Sequence, residues 1–182
     1  MKKFMGRCLL MLPLLAGCHD LSGSLKVSKF FSLMDLDGRS QELLPGNYHG
    51  FLSFKKNPNA LEVTTKNVAT GDKVSARFQI PYSELNGKFF IYAEESGQKV
   101  DLQGELRTDV ADGPVVKTYQ SCVRHIGRGN HSGRKRVEYF DRETLTTLRA
   151  QLIEAAGNSQ VAEVEATHHE TERKFVYRGP CS

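Results

Sequence analysis

The sequence predicts an all-β domain: an antiparallel meander that folds into a sandwich or barrel of about eight to ten strands. From Asn47 onwards apolar residues alternate with polar ones, and β-branched and aromatic residues are set among turn formers such as Asn86-Gly87 and Asp112-Gly113. Alternation with a period of two places apolar side chains on one face of a strand. Asn-Gly and Asp-Gly tolerate the positive φ that tight hairpin turns require. Short hairpins between half-buried strands are typical of a meander.

The strands predicted between residues 47 and 123 share this alternation. Their inward positions are Tyr48, Gly50, Leu52, Phe54, Leu61, Val63, Val74, Ala76, Phe78, Ile80, Phe90, Tyr92, Val100, Leu102 and Leu106. Turns are expected at Asn57-Pro58-Asn59, Thr70-Gly71-Asp72, Asn86-Gly87, Ser96-Gly97 and Asp112-Gly113. Pro81 ends its strand or marks a sheet edge, because proline cannot donate a ladder hydrogen bond. The last turn leads into a strand over residues 114–123.

Residues 141–157 fit two structures. The segment Asp141–Thr144 could cap a helix near 142–156 that carries leucines at helical spacing and ends before Gly157. The same leucines also alternate with a period of two, and residues 156–158 are typical of a hairpin turn into the alternating segment Val161–Thr167. We favour a strand, because threonines favour strands and a hairpin continues the meander. A helix near 142–156 is the alternative.

The N-terminus carries a recognisable targeting pattern. Lys2, Lys3 and Arg7 are followed by an apolar run of about ten residues that ends in Leu15-Ala16-Gly17-Cys18. As a helix this run is about 15 Å long, too short to span a bilayer core of roughly 30 Å, which is typical of a signal peptide. These residues resemble the signal peptide and lipobox of bacterial lipoproteins. An ordinary secretory peptide, with an incidental thiol at Cys18, is the alternative.

The resemblance implies a location and an anchor. Residues 1–17 would be removed, and Cys18 would be acylated with diacylglycerol and palmitate, so that lipid holds the protein to a membrane of the cell envelope. In this family an aspartate directly after the cysteine favours the inner membrane. Here His19 follows Cys18, so the resemblance implies the periplasmic face of the outer membrane. Residues 18–29 are expected to form a tether and residues 30–182 a single β domain.

Processing also changes the charge and the cysteine inventory. The chain has 25 Lys and Arg against 21 Asp and Glu, and the loss of Lys2, Lys3 and Arg7 leaves a net charge of +1. The basic pI is therefore no argument for a nucleic-acid partner. With Cys8 discarded and Cys18 acylated, Cys122 and Cys181 remain, and in an oxidising compartment they are expected to pair. A metal site of Cys122 with His125 and His131 is the alternative, although the spacing lacks a second thiolate.

Residues 124–136 are unusually basic and are expected to form a long mobile loop or a splayed hairpin tip. They contain no acid and five cations, Arg124, Arg128, Arg134, Lys135 and Arg136. The functional interpretation is an anion-binding surface for phosphate-bearing lipid headgroups or an acidic envelope partner. The alternative is a solvated loop whose charges only keep it in water, which we favour because aromatic residues are not interleaved with the cations.

No residue pattern predicts catalysis or a cofactor. Ser121 lies outside any nucleophile elbow, His168 and His169 would point to opposite faces of a strand, and Glu170 and Glu172 are acids at a strand end. Two function classes remain. The first is a membrane-anchored, non-catalytic binding or structural domain. The second is a lipocalin-like carrier, whose barrel would enclose an apolar cavity for a lipid or another small hydrophobic ligand.

Overall fold

The computed structural model describes residues 20–56, 59–80 and 87–182 and shows the predicted all-β fold. The strands are β1 (Asp20–Val27), β2 (Phe31–Met34), β3 (Ser40–Leu43), β4 (Gly46–Lys56), β5 (Asn59–Asn67), β6 (Lys73–Gln79), β7 (Gly87–Ile91), β8 (Val100–Asp112), β9 (Val116–Ile126), β10 (Gly129–Glu154) and β11 (Gln160–Arg178). One short helix, α1, spans Ala93–Ser96. The alternative of a helix near 142–156 is wrong, because β10 runs through that segment without a break.

One antiparallel sheet contains most of the strands. Its order is β6-β5-β4-β1-β11-β10-β8-β7, with β9 also paired to β10, while β2 and β3 form a separate hairpin. The sheet curls into a nearly closed barrel in which β1 joins two halves, one made of β4 to β6 and the other of β7 to β11. The predicted meander therefore holds within each half, and the N-terminal strand connects them.

The prediction of a tether over residues 18–29 is wrong for its described part. Residues 20–27 form β1, which pairs with β4 on one side and with β11 on the other. Leu21, Leu25 and Val27 alternate and are buried. The pattern was hidden by Gly23 at the second of the four inward positions, where a Cβ atom would lie 1.9 Å from the carbonyl oxygen of Glu165. Only glycine permits this close approach of β1 to β11, so a residue typical of linkers is here a packing requirement.

The core fills the inside of the barrel with alternate residues from the barrel strands and with residues of the β2–β3 hairpin, whereas β9 contributes no buried residue. Its largest side chains with almost no exposed surface are Leu21, Leu25, Leu33, Leu43, Leu52, Leu61, Phe78, Ile91, Leu102 and Leu148. Most of the predicted inward positions lie here. The strand β7 is an exception, since Ile91 is buried while Tyr92 points outward and packs edge-on against Phe90.

The two ends of the sheet, β6 and β7, do not pair with each other in the described part of the chain, and side-chain hydrogen bonds of Gln98 bridge the seam between them. After β7 the chain forms α1 rather than the predicted turn, and Gly97 ends this helix with a φ of 69°. The next residue, Gln98, is buried and uses its amide three times. Its Oε1 accepts the N–H of Met34 at 2.7 Å, and its Nε2 donates to the carbonyls of Met34 at 2.9 Å and Arg77 at 3.1 Å. The amide thus holds β2 against β6.

A long three-stranded arm leaves one end of the barrel. The prediction of a hairpin reversal at Asp112-Gly113 is wrong, because β8 and β9 run in the same direction along one edge of β10. Beyond Leu106 on β8 and Thr167 on β11, the strands β7 and β1 no longer pair, and only β8, β9, β10 and β11 continue. We call residues 107–146 and 168–182 the arm. From Thr146 to Gly129 it is roughly 55 Å long at about 3.3 Å per residue.

The seam gives a first testable prediction. Gln98→Ala should lower the free energy of unfolding by about 1–3 kcal/mol, because the buried N–H of Met34 and the carbonyl of Arg77 lose their partner. Chemical denaturation would measure the loss. Gln103→Ala is the matched control, because this glutamine is exposed on β8, and it should change stability by less than about 0.5 kcal/mol. Equal effects of the two substitutions would contradict the role of Gln98.

Candidate functional site: a basic β arm

The basic segment of residues 124–136 forms the tip of the arm and is not the mobile loop that was predicted. Ile126 pairs with Gly129, so Gly127 and Arg128 form a two-residue turn, with Gly127 at a φ of 59°. Arg124 lies on β9, while Arg134, Lys135 and Arg136 lie on β10. Because side chains alternate along a strand, Arg134 and Arg136 share one face of the arm and Lys135 faces the other way. The cations therefore surround the tip.

The structure brings a second basic segment beside the first. The end of β11 and the C-terminal residues run along β10, and Arg134 exchanges two backbone hydrogen bonds with Ser182. We call residues 113–141 together with 173–182 the outer arm, because residues 113 and 173 both lie beside Asp141 of β10. It contains two acids, Glu138 and Asp141, and nine cations, which are Lys117, Arg124, Arg128, Arg134, Lys135, Arg136, Arg173, Lys174 and Arg178. The rest of the chain after Gly17 has 13 Lys and Arg against 19 Asp and Glu.

Few of these cations are neutralised by ion pairs. Arg136 pairs with Glu138, Arg173 with Asp141, and Lys174 with Glu172. Within the described ranges, the other six have no carboxylate oxygen within 4.0 Å. The outer arm is therefore a concentrated patch of positive charge on a molecule that is otherwise acidic.

Aromatic and aliphatic side chains are exposed among these cations. Tyr119 is 68% exposed, and Val123, Ile126, Phe175 and Tyr177 are also well exposed. Sequence reasoning missed this combination, because it looked for aromatic residues inside the segment 124–136. The aromatics come instead from the neighbouring parts of β9 and β11, and only strand pairing places them beside the cations.

Two open depressions on the arm show how these groups combine. One, of about 340 Å³, is lined by Tyr119, Tyr177, Arg134 and Arg136. The other, of about 650 Å³, adjoins it at Arg134 and Ser182 and reaches Cys122. Guanidinium groups beside tyrosine rings and hydroxyls suit a phosphate or carboxylate carried on an apolar group.

Further towards the barrel, aromatic rings and arginines hold β11 to β10. Tyr139 and Phe175 pack edge-on with their ring centroids 6.5 Å apart. The guanidinium carbon of Arg173 lies 4.2 Å from the centroid of Tyr139, and that of Arg178 lies 4.3 Å from the centroid of Phe175. These stacked cations stiffen the arm and shape its surface, and they remain available at their outer faces.

The disulfide fixes the C-terminal residues to the arm. The sulfurs of Cys122 on β9 and Cys181 are joined, with a Cα–Cα distance of 5.9 Å. Between them lies Gly133 on β10, which pairs with Cys122. A Cβ atom on Gly133 would lie 2.4 Å from the carbonyl oxygen of Ser182 and 2.9 Å from the sulfur of Cys181. The third strand of the outer arm therefore depends on a glycine that lets the disulfide cross β10.

Two arginine–aspartate pairs stabilise the arm where β8 ends and the outer arm begins. Arg142 donates two hydrogen bonds to Asp112, at 2.6 and 2.9 Å, and this arginine holds the pKa of Asp112 below its ordinary value. Arg173 does the same for Asp141, at 2.9 and 3.2 Å, and likewise lowers the pKa of that carboxyl. The first pair joins β8 to β10 and the second joins β11 to β10, so all three strands are connected where the outer arm begins.

The first described residues of β1 lie at the base of the arm, nearer to the barrel than these ion pairs. Ser22 pairs with Thr167, and Nδ1 of His168 lies 3.1 Å from the carbonyl oxygen of Asp20. The motif Leu15-Ala16-Gly17-Cys18 and its signal peptide lie outside the described residues. Because β1 begins at Asp20, any group attached to Cys18 is two residues away from the base of the arm.

The remaining candidate residues are not brought together into a site. His125 and His131 lie on opposite faces of the hairpin tip, and the sulfur of Cys122 is bonded to Cys181. His168 contacts Asp20, whereas Nε2 of His169 lies 3.9 Å from a carboxylate oxygen of Glu143. Across residues 20–56, 59–80 and 87–182, no three His, Cys, Asp or Glu side chains are grouped to hold a metal ion. Over the same residues, no helix is long and apolar enough to cross a membrane.

Comparison of the chain with protein-family models, with curated proteins and with solved structures finds no match. The function must therefore be argued from the geometry of this chain alone.

The crossing of the disulfide over Gly133 is testable. Gly133→Ala should displace the C-terminal residues and destabilise the protein by about 1–3 kcal/mol, because the added methyl group overlaps backbone and sulfur atoms. Thiol labelling of the unfolded, unreduced protein would show Cys122 and Cys181 partly free. Gly129→Ala on the same strand is the control, since its methyl group would meet nothing closer than 3.6 Å. Full disulfide formation and unchanged stability in Gly133→Ala would contradict the geometry.

The two arginine–aspartate pairs predict that stability depends on pH. The folded-state pKa values of Asp112 and Asp141 lie below 3.8, so each ion pair contributes stability above the unfolded pKa and loses it as pH falls through the folded pKa. Carbon-13 NMR titration of the carboxyl groups should give midpoints below 3.8 for both residues. Arg142→Gln should move the midpoint of Asp112 upward and leave that of Asp141 in place. Midpoints at or above the ordinary value in the wild-type protein would show that the pairs do not form in solution.

Proposed function

We propose that this chain is a lipid-anchored lipoprotein of a bacterial cell envelope, whose non-catalytic β barrel carries a basic arm for binding an anionic partner. The lipobox at Leu15-Ala16-Gly17-Cys18 supports the anchor, and His19 after it supports the periplasmic face of the outer membrane. The observation that carries the binding function is the segregation of charge. Nine cations and two acids lie on the outer arm, while the rest of the chain after Gly17 has six more acids than cations.

Charge that only served solubility would not need this arrangement. A protein is soluble when it carries a net charge and exposes no large apolar patch. Charges of both signs spread over the surface meet both conditions. Here the cations are concentrated on a stiff projection, and exposed tyrosines and aliphatic residues lie among them. A projection that combines unpaired cations with apolar surface is typical of a binding element.

The inside of the barrel supports a binding or structural domain over a carrier. A carrier needs an apolar cavity of several hundred Å³. Leu21, Leu52 and Phe78 point into the barrel and are at most 1% exposed, so they do not line a cavity that a ligand could occupy. A groove of about 580 Å³ does exist, but it opens on the outer face among charged residues such as Lys26 and Glu163. The described interior is therefore occupied by the protein's own side chains.

The anchor is tested by replacing the cysteine. Cys18→Ser, expressed behind a cleavable secretory signal peptide in place of residues 1–17, should incorporate no palmitate and should leave the membrane fraction in a high-salt wash. The wild-type protein should stay bound, because each buried CH₂ of an acyl chain contributes about 0.8 kcal/mol and several chains make desorption negligible. The readouts are metabolic palmitate labelling and fractionation.

Cys8→Ser in the natural precursor is the matched control, because Cys8 lies within the part that processing removes. It should leave labelling and fractionation unchanged. Palmitate on the Cys18→Ser protein, or salt-resistant membrane binding without it, would refute the proposed anchor.

A further inference from the structure

We infer that the outer arm lies along the anionic membrane that holds the acyl chains, with Tyr119, Arg134 and Tyr177 among the lipid headgroups. The binding chemistry is that of phospholipid phosphates. This inference rests on the proposed acylation of Cys18 for the choice of membrane, and it assigns the partner that the arm binds.

The proposed lipid anchor at Cys18 is only a short length of chain away from the base of the arm. The chain between Cys18 and β1 is a single residue, His19, and two residues span at most about 7 Å. The end of the barrel from which β1 begins is therefore held at the bilayer surface. The same end is the base of the arm, where Ser22 pairs with Thr167 and His168 contacts Asp20. The arm starts at the membrane.

The direction in which the arm leaves the barrel also brings it to the bilayer. The strands of a barrel are tilted by roughly 35–45° from its axis, and β10 and β11 continue from the barrel into the arm. An arm of roughly 55 Å that leaves the membrane-facing end at such an angle meets the bilayer obliquely. It cannot enter the hydrocarbon core, because six of its cations have no carboxylate near them within the described part of the chain. It must therefore run along the headgroup layer.

The side chains of the outer arm suit the headgroup layer of an anionic bilayer. Each basic side chain near an anionic bilayer strengthens binding about fivefold, and tyrosine rings favour the interface between headgroups and acyl chains. The outer arm offers both groups, and the open depression between Tyr119, Tyr177, Arg134 and Arg136 combines them. The acidic remainder of the chain is repelled by the same surface. The charge distribution thus orients the molecule with its arm against the bilayer and its barrel away from the bilayer.

The natural absence of tryptophan provides a direct test. Tyr119→Trp places a single fluorophore on the outer arm at a position where the tyrosine is 68% exposed. Tyr92→Trp is the matched control, since Tyr92 is 54% exposed and follows β7 at the end of the barrel away from the arm. Both substitutions are made in the Cys18→Ser protein, which retains every described residue, so that binding is measured without the lipid anchor.

The probes are equimolar phosphatidylglycerol–phosphatidylcholine vesicles, phosphatidylcholine vesicles and polyglutamate. With anionic vesicles in about 0.1 M salt, the Tyr119→Trp emission should shift to the blue and be quenched by brominated lipids, while Tyr92→Trp should not change. The shift should disappear in about 1 M salt, where the Debye length falls from about 10 Å to about 3 Å. Phosphatidylcholine alone should give no shift.

A charge-matched pair of variants tests the cations themselves. Lys117, Arg134 and Lys135 changed together to Ser should weaken partitioning onto anionic vesicles roughly 100-fold. Lys26, Lys66 and Lys73 changed together to Ser remove the same charge from exposed positions on the barrel and should not weaken it. Circular dichroism would verify that both variants fold.

Several results would overturn the inference. The first is an unshifted Tyr119→Trp spectrum on anionic vesicles, and the second is an equal shift at Tyr92→Trp. A response to polyglutamate alone would assign the arm to an acidic protein. A doubled mass in lipid-free sedimentation, with no response to vesicles, would assign it to the acidic barrel of a second copy. Because all of these use the Cys18→Ser protein, they can fail while palmitate labelling of the wild type succeeds, and the reverse.

Discussion

The antiparallel pairing of β10 with β11 is the interaction on which the rest of this structure depends. It runs from Val137 to Ile153 on β10. At one end the pair supplies two walls of the barrel, where β1 and β8 add to its edges. At the other end the same two strands form the body of the arm. Since the pairing is continuous through the junction, movement of the arm requires bending a three-stranded ribbon and not turning about a hinge. The barrel is thereby a stiff mount for the basic surface.

Two glycines show how backbone packing sets the positions of the binding groups. Gly23 allows β1 to approach β11 closely, which brings the start of β1 to the base of the arm. Gly133 allows the disulfide to cross β10, which brings the C-terminal residues beside the tip. Without the first approach the start of β1 would not be held beside the arm. Without the second, Tyr177 and Arg178 would not be held next to the cations of the hairpin.

The sequence predicted the features that depend on residues close together in the chain. It was less informative about those that depend on contacts between distant segments. Alternation predicted the fold class, and with it the strand through Leu148 and Leu152, because one buried face is enough to produce the period. The tether prediction failed because Gly23 and two serines hide the period of β1. The turn predicted at Asp112-Gly113 failed because an Asp-Gly pair can interrupt an edge strand as well as reverse it. The arm was beyond prediction, since its cations and aromatic rings come from three strands whose register only tertiary structure fixes.

The short connection between Cys18 and β1 decides how the proposed anchor and the arm work together. A lipid on a long flexible tether would leave the domain free to rotate, and a weak basic surface would meet the bilayer only occasionally. With a single intervening residue, the proposed lipid would hold the base of the arm at the surface, and binding by the arm would become intramolecular. Its effective concentration is then set by a few ångströms of chain. Interactions too weak to retain a free protein are enough to orient a tethered one. The acyl chains would supply the affinity, and the charge segregation would supply the orientation.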